Sequence, residues 1–354
     1  MAIAPESGRV AVAVSGGMDS LYALLSLQRQ GLDVCAVHGR FLAPGGRPDP
    51  VPVLERQCRQ LGVPLFVEDL REAFARNVVR PFVEAYASGS TPNPCVWCNA
   101  RIKFGLLFDA ARAHGAQTLA TGHYARVRRH PVYGTALCRG DDPVKDQSYF
   151  LAGVPRESLA AAVFPLADKH KAEIAAELEA LGLEPPLPGE SQEICFVPDD
   201  AYRSFLQVGN VSLSGPGPIL LEDGERVGTH GGLWQYTQGQ RRGLGIAWHE
   251  PLYVLDKDVP GNALVVGGKA ALRSRGCTGG EANILAPPAL WPETLFAQVR
   301  YRQKAVPAVV TCEQNRLTVL FDEPQAPAAP GQLLTVYDAA GYVLAGATID
   351  AVLR

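Results

Sequence analysis

The segment Arg9 to Val14 (Arg-Val-Ala-Val-Ala-Val) is apolar on both faces and runs directly into Ser15-Gly16-Gly17-Met18-Asp19-Ser20. Leu21, Leu24, Leu25 and Leu27 then recur at helical spacing until Gly31. A strand without a polar face has to be covered on both sides. When a glycine turn and an amphipathic helix follow it, the chain is committed to alternating strands and helices. The alternation continues: strands are predicted at Val34 to Val37, Pro64 to Val67 and Thr118 to Thr121, and helices at Val53 to Leu61, Arg71 to Tyr86 and Asn99 to His114. The expected class is α/β, a parallel sheet with helices on both faces.

The pattern then changes. A helix is predicted over Ala172 to Leu181, followed by a proline-rich stretch, Glu184 to Gly189. From about Leu213 the chain breaks into short strands cut by Gly and Pro, at Ile219 to Leu221, Tyr253 to Leu255, Leu264 to Val266, Leu317 to Phe321 and Leu333 to Tyr337. A further break is expected between Gly267-Gly268-Lys269 and Gly279-Gly280. At 354 residues the chain has room for two or three domains.

Lys and Arg number 33 against 36 Asp and Glu, a net charge of -3, so a nucleic-acid partner must be held by local basic patches. Three are visible: Arg126, Arg128, Arg129, Arg139 and Lys145; Arg241 and Arg242; and Arg300, Arg302 and Lys304. No apolar run approaches the roughly 18 residues of a membrane span. Met1 to Arg9 does not read as a secretory signal. The expectation is a cytoplasmic protein with no membrane partner, whose eight cysteines are reduced.

The turn after the first strand is suited to anions. Gly16 and Gly17 allow backbone N–H groups to approach a ligand, Ser15 and Ser20 add hydroxyls, and the helix start adds partial positive charge. The loop lacks the lysine of a Walker A sequence and the third glycine of a dinucleotide fingerprint. Asp19 should repel phosphate, and makes sense as an N-cap or a Mg2+ anchor.

A second chemical segment is Thr91-Pro92-Asn93-Pro94-Cys95-Val96-Trp97-Cys98-Asn99. Two prolines stiffen it. Cys98 is expected just before a helix start, where a thiolate is favoured. Cys95 and Cys98 form a CxxC, which alone fits a redox pair, half a metal site or coincidence. Cys195 is a third marked thiol. Cys35, Cys58, Cys138, Cys277 and Cys312 read as small core residues. Thr121-Gly122-His123-Tyr124 follows the fourth strand, where a second loop could close over a nucleotide.

The hexapeptide at 15–20 resembles the pyrophosphatase loop of enzymes that split ATP between the α- and β-phosphates and leave AMP on a substrate. With TPNPCVWCNARIKF, TGHYARV, KDQSYFL, SQEICFV, QGQRRGLGI, YVLDKD, VRYRQ and PGQ, in family order across residues 9–332, the chain resembles the tRNA-specific 2-thiouridylases. These replace the 2-oxygen of the tRNA wobble uridine with sulfur. The resemblance implies an adenylating α/β domain (1–205), a small central tRNA-binding domain (206–275) and a C-terminal β-barrel (276–354). It implies ATP and Mg2+, held by Ala13, Val14, Ser15, Gly16, Gly17, Met18, Asp19 and Ser20, with His38 in the place of an ATP-contacting Met and Gly122 closing over the nucleotide. Cys98 takes the position of the nucleophile and Cys195 that of the persulfide carrier. Asn93, Pro94 and Cys95 match the segment beside the target base. His123, Lys145, Asp146, Gln147, Arg300, Tyr301 and Gln332 match tRNA-contacting positions.

Two departures stand out. Cys95 replaces the family's usual Asp, and the segment after the second strand, Val37-His38-Gly39-Arg40-Phe41, is recast. Two sulfur routes follow. A persulfide on Cys195 can be resolved by a transient disulfide with Cys98. Alternatively, Cys95, Cys98 and Cys195 can ligate a 4Fe-4S cluster whose fourth iron holds sulfide. The Asp-to-Cys change suits the second. Either needs a sulfur donor, a relay protein or inorganic sulfide. The rival reading is an adenylating ligase with the same ATP loop acting on a small metabolite.

Overall fold

The computed structural model describes residues 8–43, 48–183, 194–197, 201–208 and 211–354. The proline-rich stretch and the first residues of the SQEICFV motif lie outside the described residues. The first strands are β1 (Arg9–Ala13), β2 (Val34–Arg40), β3 (Leu65–Asp69) and β4 (Ala116–Ala120). A hairpin follows, β5 (Ala125–His130) with β6 (Gly134–Arg139), and then the two-residue β7 (Ala162–Val163). The sheet is parallel in the order β3-β2-β1-β4-β7.

The alternation within β1 shows why this sheet forms. Val10 and Val12 face one layer, packing with Leu21, Leu24 and Leu27 of helix α1 (Met18–Arg29) and Leu54 of α2 (Val51–Leu61). Ala11 faces the other, with Cys35, Val37, Phe104, Phe108 and Tyr149. Strand order reverses between β1 and β4, so a crevice opens past their C-terminal ends.

Two long helices depart from expectation. The helix over 71–87 contains a π-helical stretch, Ala75–Val79. The helix expected from Asn99 begins at Pro94 and is π-wound over Cys98–Leu107, with non-helical dihedrals at Gly105. Pro94, which lacks an N–H, sits where the first turn needs none.

The central sheet has β8 (Gly217–Leu220), β9 (Arg226–His230), β10 (Tyr253–Asp258) and β11 (Ala263–Gly267), in the order β10-β11-β8-β9. The last six strands are β12 (Ser274–Ile284), β13 (Leu295–Gln298), β14 (Val306–Glu313), β15 (Arg316–Gln325), β16 (Leu333–Asp338) and β17 (Val343–Leu353). They close an antiparallel barrel in the order β12-β15-β14-β13-β16-β17. The expected boundaries fall inside elements. Residue 275 lies within β12, and residue 205 within the helix Tyr202–Val208, whose Leu206 shares an apolar cluster with Phe74 and Phe82 of the first domain.

The barrel grips the first domain. Tyr149 donates to Leu333 O at 2.6 Å, and Asn283 donates to Ala152 O and Val154 O, each at 2.8 Å. At the Pro330-Gly331-Gln332 turn, Gln332 Nε2 donates to Thr91 O at 2.7 Å, and Thr91 N donates to Pro330 O at 2.8 Å. The turn thereby holds the loop that leads to Cys95. Among the described residues, no helix is long and apolar enough to cross a membrane.

Gly331 has φ +90°, and a Cβ there would lie 2.9 Å from Thr91 backbone atoms. Gly331→Ala is expected to cost about 2 kcal/mol from the left-handed backbone and the clash. A urea midpoint equal to wild type would refute this account of the barrel contact.

Candidate functional site

Val14 and the Ser15–Ser20 loop leave β1 at the crevice, and Thr121–Tyr124 leaves β4 beside them. The loop is internally braced. Ser15 N donates to Ser20 Oγ at 3.1 Å, Ser20 Oγ donates to Gly17 O at 2.9 Å, and Gly17 N donates to Ser15 Oγ at 3.3 Å. Gly16 has φ +91°, a conformation a side chain would strain. His38 on β2 donates from Nδ1 to Val14 O at 2.7 Å, and burial holds its pKa below the ordinary value.

Asp19 is not the N-cap. That position is Gly17, without a side-chain bond. Its carboxylate meets Lys171 Nζ at 2.6 Å from each oxygen and accepts from Tyr124 OH at 2.9 Å. Sequence reasoning assigned no role to Lys171, which begins the helix Lys171–Glu179. The signal was the spacing of Lys171, Ile174 and Leu178, one face of a helix that packs on α1.

Gly122 is a contact only glycine can make. A Cβ there would lie 2.7 Å from Asp19 C and 2.8 Å from Ser20 N. The neighbouring His123 is buried, donating from Nδ1 to Thr121 Oγ1 at 2.7 Å and accepting from Lys103 Nζ at 3.4 Å. Burial, and then the Lys103 charge, hold its pKa well below the ordinary value, so it is neutral. The β4 loop thus touches the ATP-type loop on one side and the cysteine helix on the other.

On that helix Cys95 is solvent-accessible, in the first turn, while Cys98 is buried a turn further in. The expected thiolate at Cys98 is overturned. Cys98 lies inside the helix, and burial pushes its pKa up to about 12, against the opposing influence of Lys103. Although Cys95 reaches the surface, desolvation by the protein packed around it also raises its pKa, again opposed by Lys103. The π-winding matters here, because its i→i+5 pattern brings Lys103, five positions on, nearer the face of Cys98 than an α-turn would. Cys195 is exposed, and both it and Cys95 lie near enough to Cys98 to disfavour a thiolate there. Among the described residues no three potential ligands are gathered as a metal set and no disulfide is formed. Cys35, Cys58, Cys138 and Cys277 are buried and Cys312 is half-buried.

Several of the expected RNA contacts are engaged within the fold. Asp146 is buried; it accepts from Ser148 Oγ at 2.8 Å, Gly140 N at 3.1 Å and Arg139 at 3.2 Å. Gln147 Oε1 accepts from Tyr124 N at 3.0 Å. Arg300, half-buried, donates to Gln238 O at 3.0 Å and so ties barrel to central domain. Tyr301 packs on Phe150 with ring centroids 4.4 Å apart. Asn93 and Lys145 are half-buried, and Pro94 is buried. The first basic cluster is partly structural, since Arg126 donates twice to Asp141 at 2.7 Å and once to Ala167 O at 3.1 Å.

Family models match this architecture in three consecutive pieces: a tRNA methyl transferase HUP domain over residues 8–199, a tRNA methyl transferase PRC-barrel domain over 204–268, and an aminomethyltransferase beta-barrel domain over 274–349. The class is therefore a HUP-domain protein carrying two β modules. The chain is 56% identical over 340 residues to the tRNA-specific 2-thiouridylase MnmA of Nitratidesulfovibrio vulgaris, covering 96% of this chain and 98% of that one. It is 52% identical over 353 residues to the protein of the same name in Oleidesulfovibrio alaskensis, covering 97% and 99%. The chain belongs to the tRNA-specific 2-thiouridylase family. Among solved structures, the U34-tRNA thiolase NcsA of Methanococcus maripaludis overlaps 56% of this chain and 62% of its own, at 19% identity and a TM-score of 0.35, too low to bear on chemistry here.

A thiol with a pKa near 12 is about one part in ten thousand thiolate at pH 8. Iodoacetamide should therefore alkylate Cys98 slowly in the free protein, with a rate rising about tenfold per pH unit between 8 and 10. Peptide mapping checks this. Fast labelling of Cys98 at pH 7 with a flat profile would refute the burial argument.

Proposed function

We propose that this chain uses ATP and Mg2+ to replace the C2 oxygen of the tRNA wobble uridine with sulfur, giving 2-thiouridine, AMP and pyrophosphate. The observation that carries the reading is the β4 loop. Gly122 packs on the Asp19–Ser20 backbone while His123 bonds to Lys103 of the cysteine helix. Activating one carbon and delivering sulfur to it require the ATP loop and the thiols at one place. A small-metabolite ligase would need neither the thiols nor the barrel that holds their loop, and the family membership does not favour it.

The chemistry divides into two steps. The uracil O2 attacks the α-phosphorus, the bond to the β-phosphate oxygen breaks, and pyrophosphate leaves. Sulfur then attacks C2, the C2–O bond breaks, and AMP carries the oxygen away. Ala13 to Ser20 hold the phosphates, His38 and Gly122 line the nucleotide, and Asp19 supplies the carboxylate for Mg2+. Asn93, Pro94 and Cys95 face the target base. His123, Lys145, Asp146, Gln147, Arg300, Tyr301 and Gln332 form the tRNA side, several of them by shaping the surface through the bonds described above.

For the sulfur, the donor set favours a 4Fe-4S cluster on Cys95, Cys98 and Cys195. Three thiols without the usual carboxylate suit iron, and Cys95 has no part in the persulfide route. Such a cluster, if bound, would hold a sulfide taken from the sulfur donor and present it to C2. Cys98 is a buried thiol, so binding such a cluster would have to deprotonate it. The persulfide route instead forms a Cys98–Cys195 disulfide that an external dithiol must reduce.

The overall reading is tested by anaerobic single turnover with tRNA and ATP, supplied either with sulfide after cluster reconstitution or with a persulfide donor and a dithiol: one AMP should form per 2-thiouridine, and its absence under both supplies would overturn the assignment. For the sulfur route, Cys95→Ala, Cys98→Ala and Cys195→Ala should each lose iron and thiolation together after reconstitution. Full thiolation by iron-free protein or by Cys95→Ala would exclude the cluster and leave the persulfide.

A further inference from the structure

The ATP loop carries a carboxylate and no cation, an arrangement that should repel a triphosphate. The fold supplies the missing charge from 152 residues away, since Lys171 Nζ lies 2.6 Å from both Asp19 oxygens. Its placement is built in. The helix Lys171–Glu179 buries Ile174 and Leu178 against the apolar cluster of α1, and Tyr22 of α1 donates to Glu177 at 3.0 Å. Asp19 pairs with Lys171 and Tyr22 with Glu177, so the helix is fixed to α1 at two points.

The pair is not sealed, since the Lys171 and Asp19 side chains are 25% and 27% exposed. We propose that Lys171 is a substrate-contacting residue for the β- and γ-phosphates of ATP, kept on Asp19 until the nucleotide arrives. A triphosphate outcompetes one carboxylate for the ammonium group. The exchange moves Lys171 onto the phosphates and frees Asp19 for Mg2+. When the α–β bond breaks, its electron pair goes to the pyrophosphate, and the ammonium offsets the charge that accumulates there. This inference rests on the adenylation reading above.

The test separates phosphate contact from simple bracing, by isothermal titration of ATP, Mg-pyrophosphate and AMP. Lys171→Met should lose about tenfold or more in affinity for ATP and pyrophosphate, with AMP unchanged, and Lys171→Arg should recover most of the loss. Equal effects on ATP and AMP, or none on either, would overturn the proposal. Should Lys171→Met fail to fold, amine acylation of the wild type decides: pyrophosphate should shield Lys171 and AMP should not, and shielding by neither or by both overturns it. A wild type that binds no ATP and forms no AMP would sink the adenylation reading itself, a result distinct from these.

Discussion

The close approach of Gly122 to the backbone of Asp19 and Ser20 is the contact on which the rest of the site depends. It closes the crevice at the strand-order reversal and fixes the β4 loop to atomic tolerance. From that anchor Tyr124 reaches the Asp19 carboxylate, and His123 reaches Lys103 on the cysteine helix. Any side chain at 122 would push the loop off α1, and with it the His123 bond to Lys103 of the cysteine helix. Glycine is required here because two backbones meet, while its own φ is ordinary.

The cysteine helix is held from the opposite side by the barrel. Gln332 and Pro330 take the backbone of Thr91, and Gly331 lies against it. A loop with Cys95 at its surface and Cys98 beneath is thus fixed by a domain more than two hundred residues later in the chain. Burial keeps Cys98 protonated in the free protein, and Lys103 opposes that burial on both thiols. A buried thiol beside a cation is protected from stray oxidation and is ready to ionise when a ligand or substrate replaces the missing solvation.

Tying the positions proposed to face tRNA into the fold has a physical rationale. Asp146 organises the turn of the KDQSYF segment through Ser148, Gly140 and Arg139, and Arg300 joins barrel to central domain. Residues that set the relative placement of three domains also set the shape offered to a folded RNA, whose recognition depends heavily on shape.

Local patterning was enough to read the α/β half, the strand-loop-helix cradle and the β-rich second half, because period-two and helical spacings act within a few residues. It also read Ser15, Gly16 and Gly17 as the tight turn from the first strand into a helix. It misplaced what depends on contacts distant in sequence. The helix start moved from Asn99 to Pro94, and the thiolate expected at Cys98 became a buried thiol. Asp19 proved to be paired with a lysine that no motif includes, and Arg126, read as part of an RNA patch, is bound to Asp141. Motif residues declare themselves locally because backbone geometry dictates their type. A charge's partner, and the solvent around a thiol, exist only once the chain has folded, and only the tertiary structure decided those.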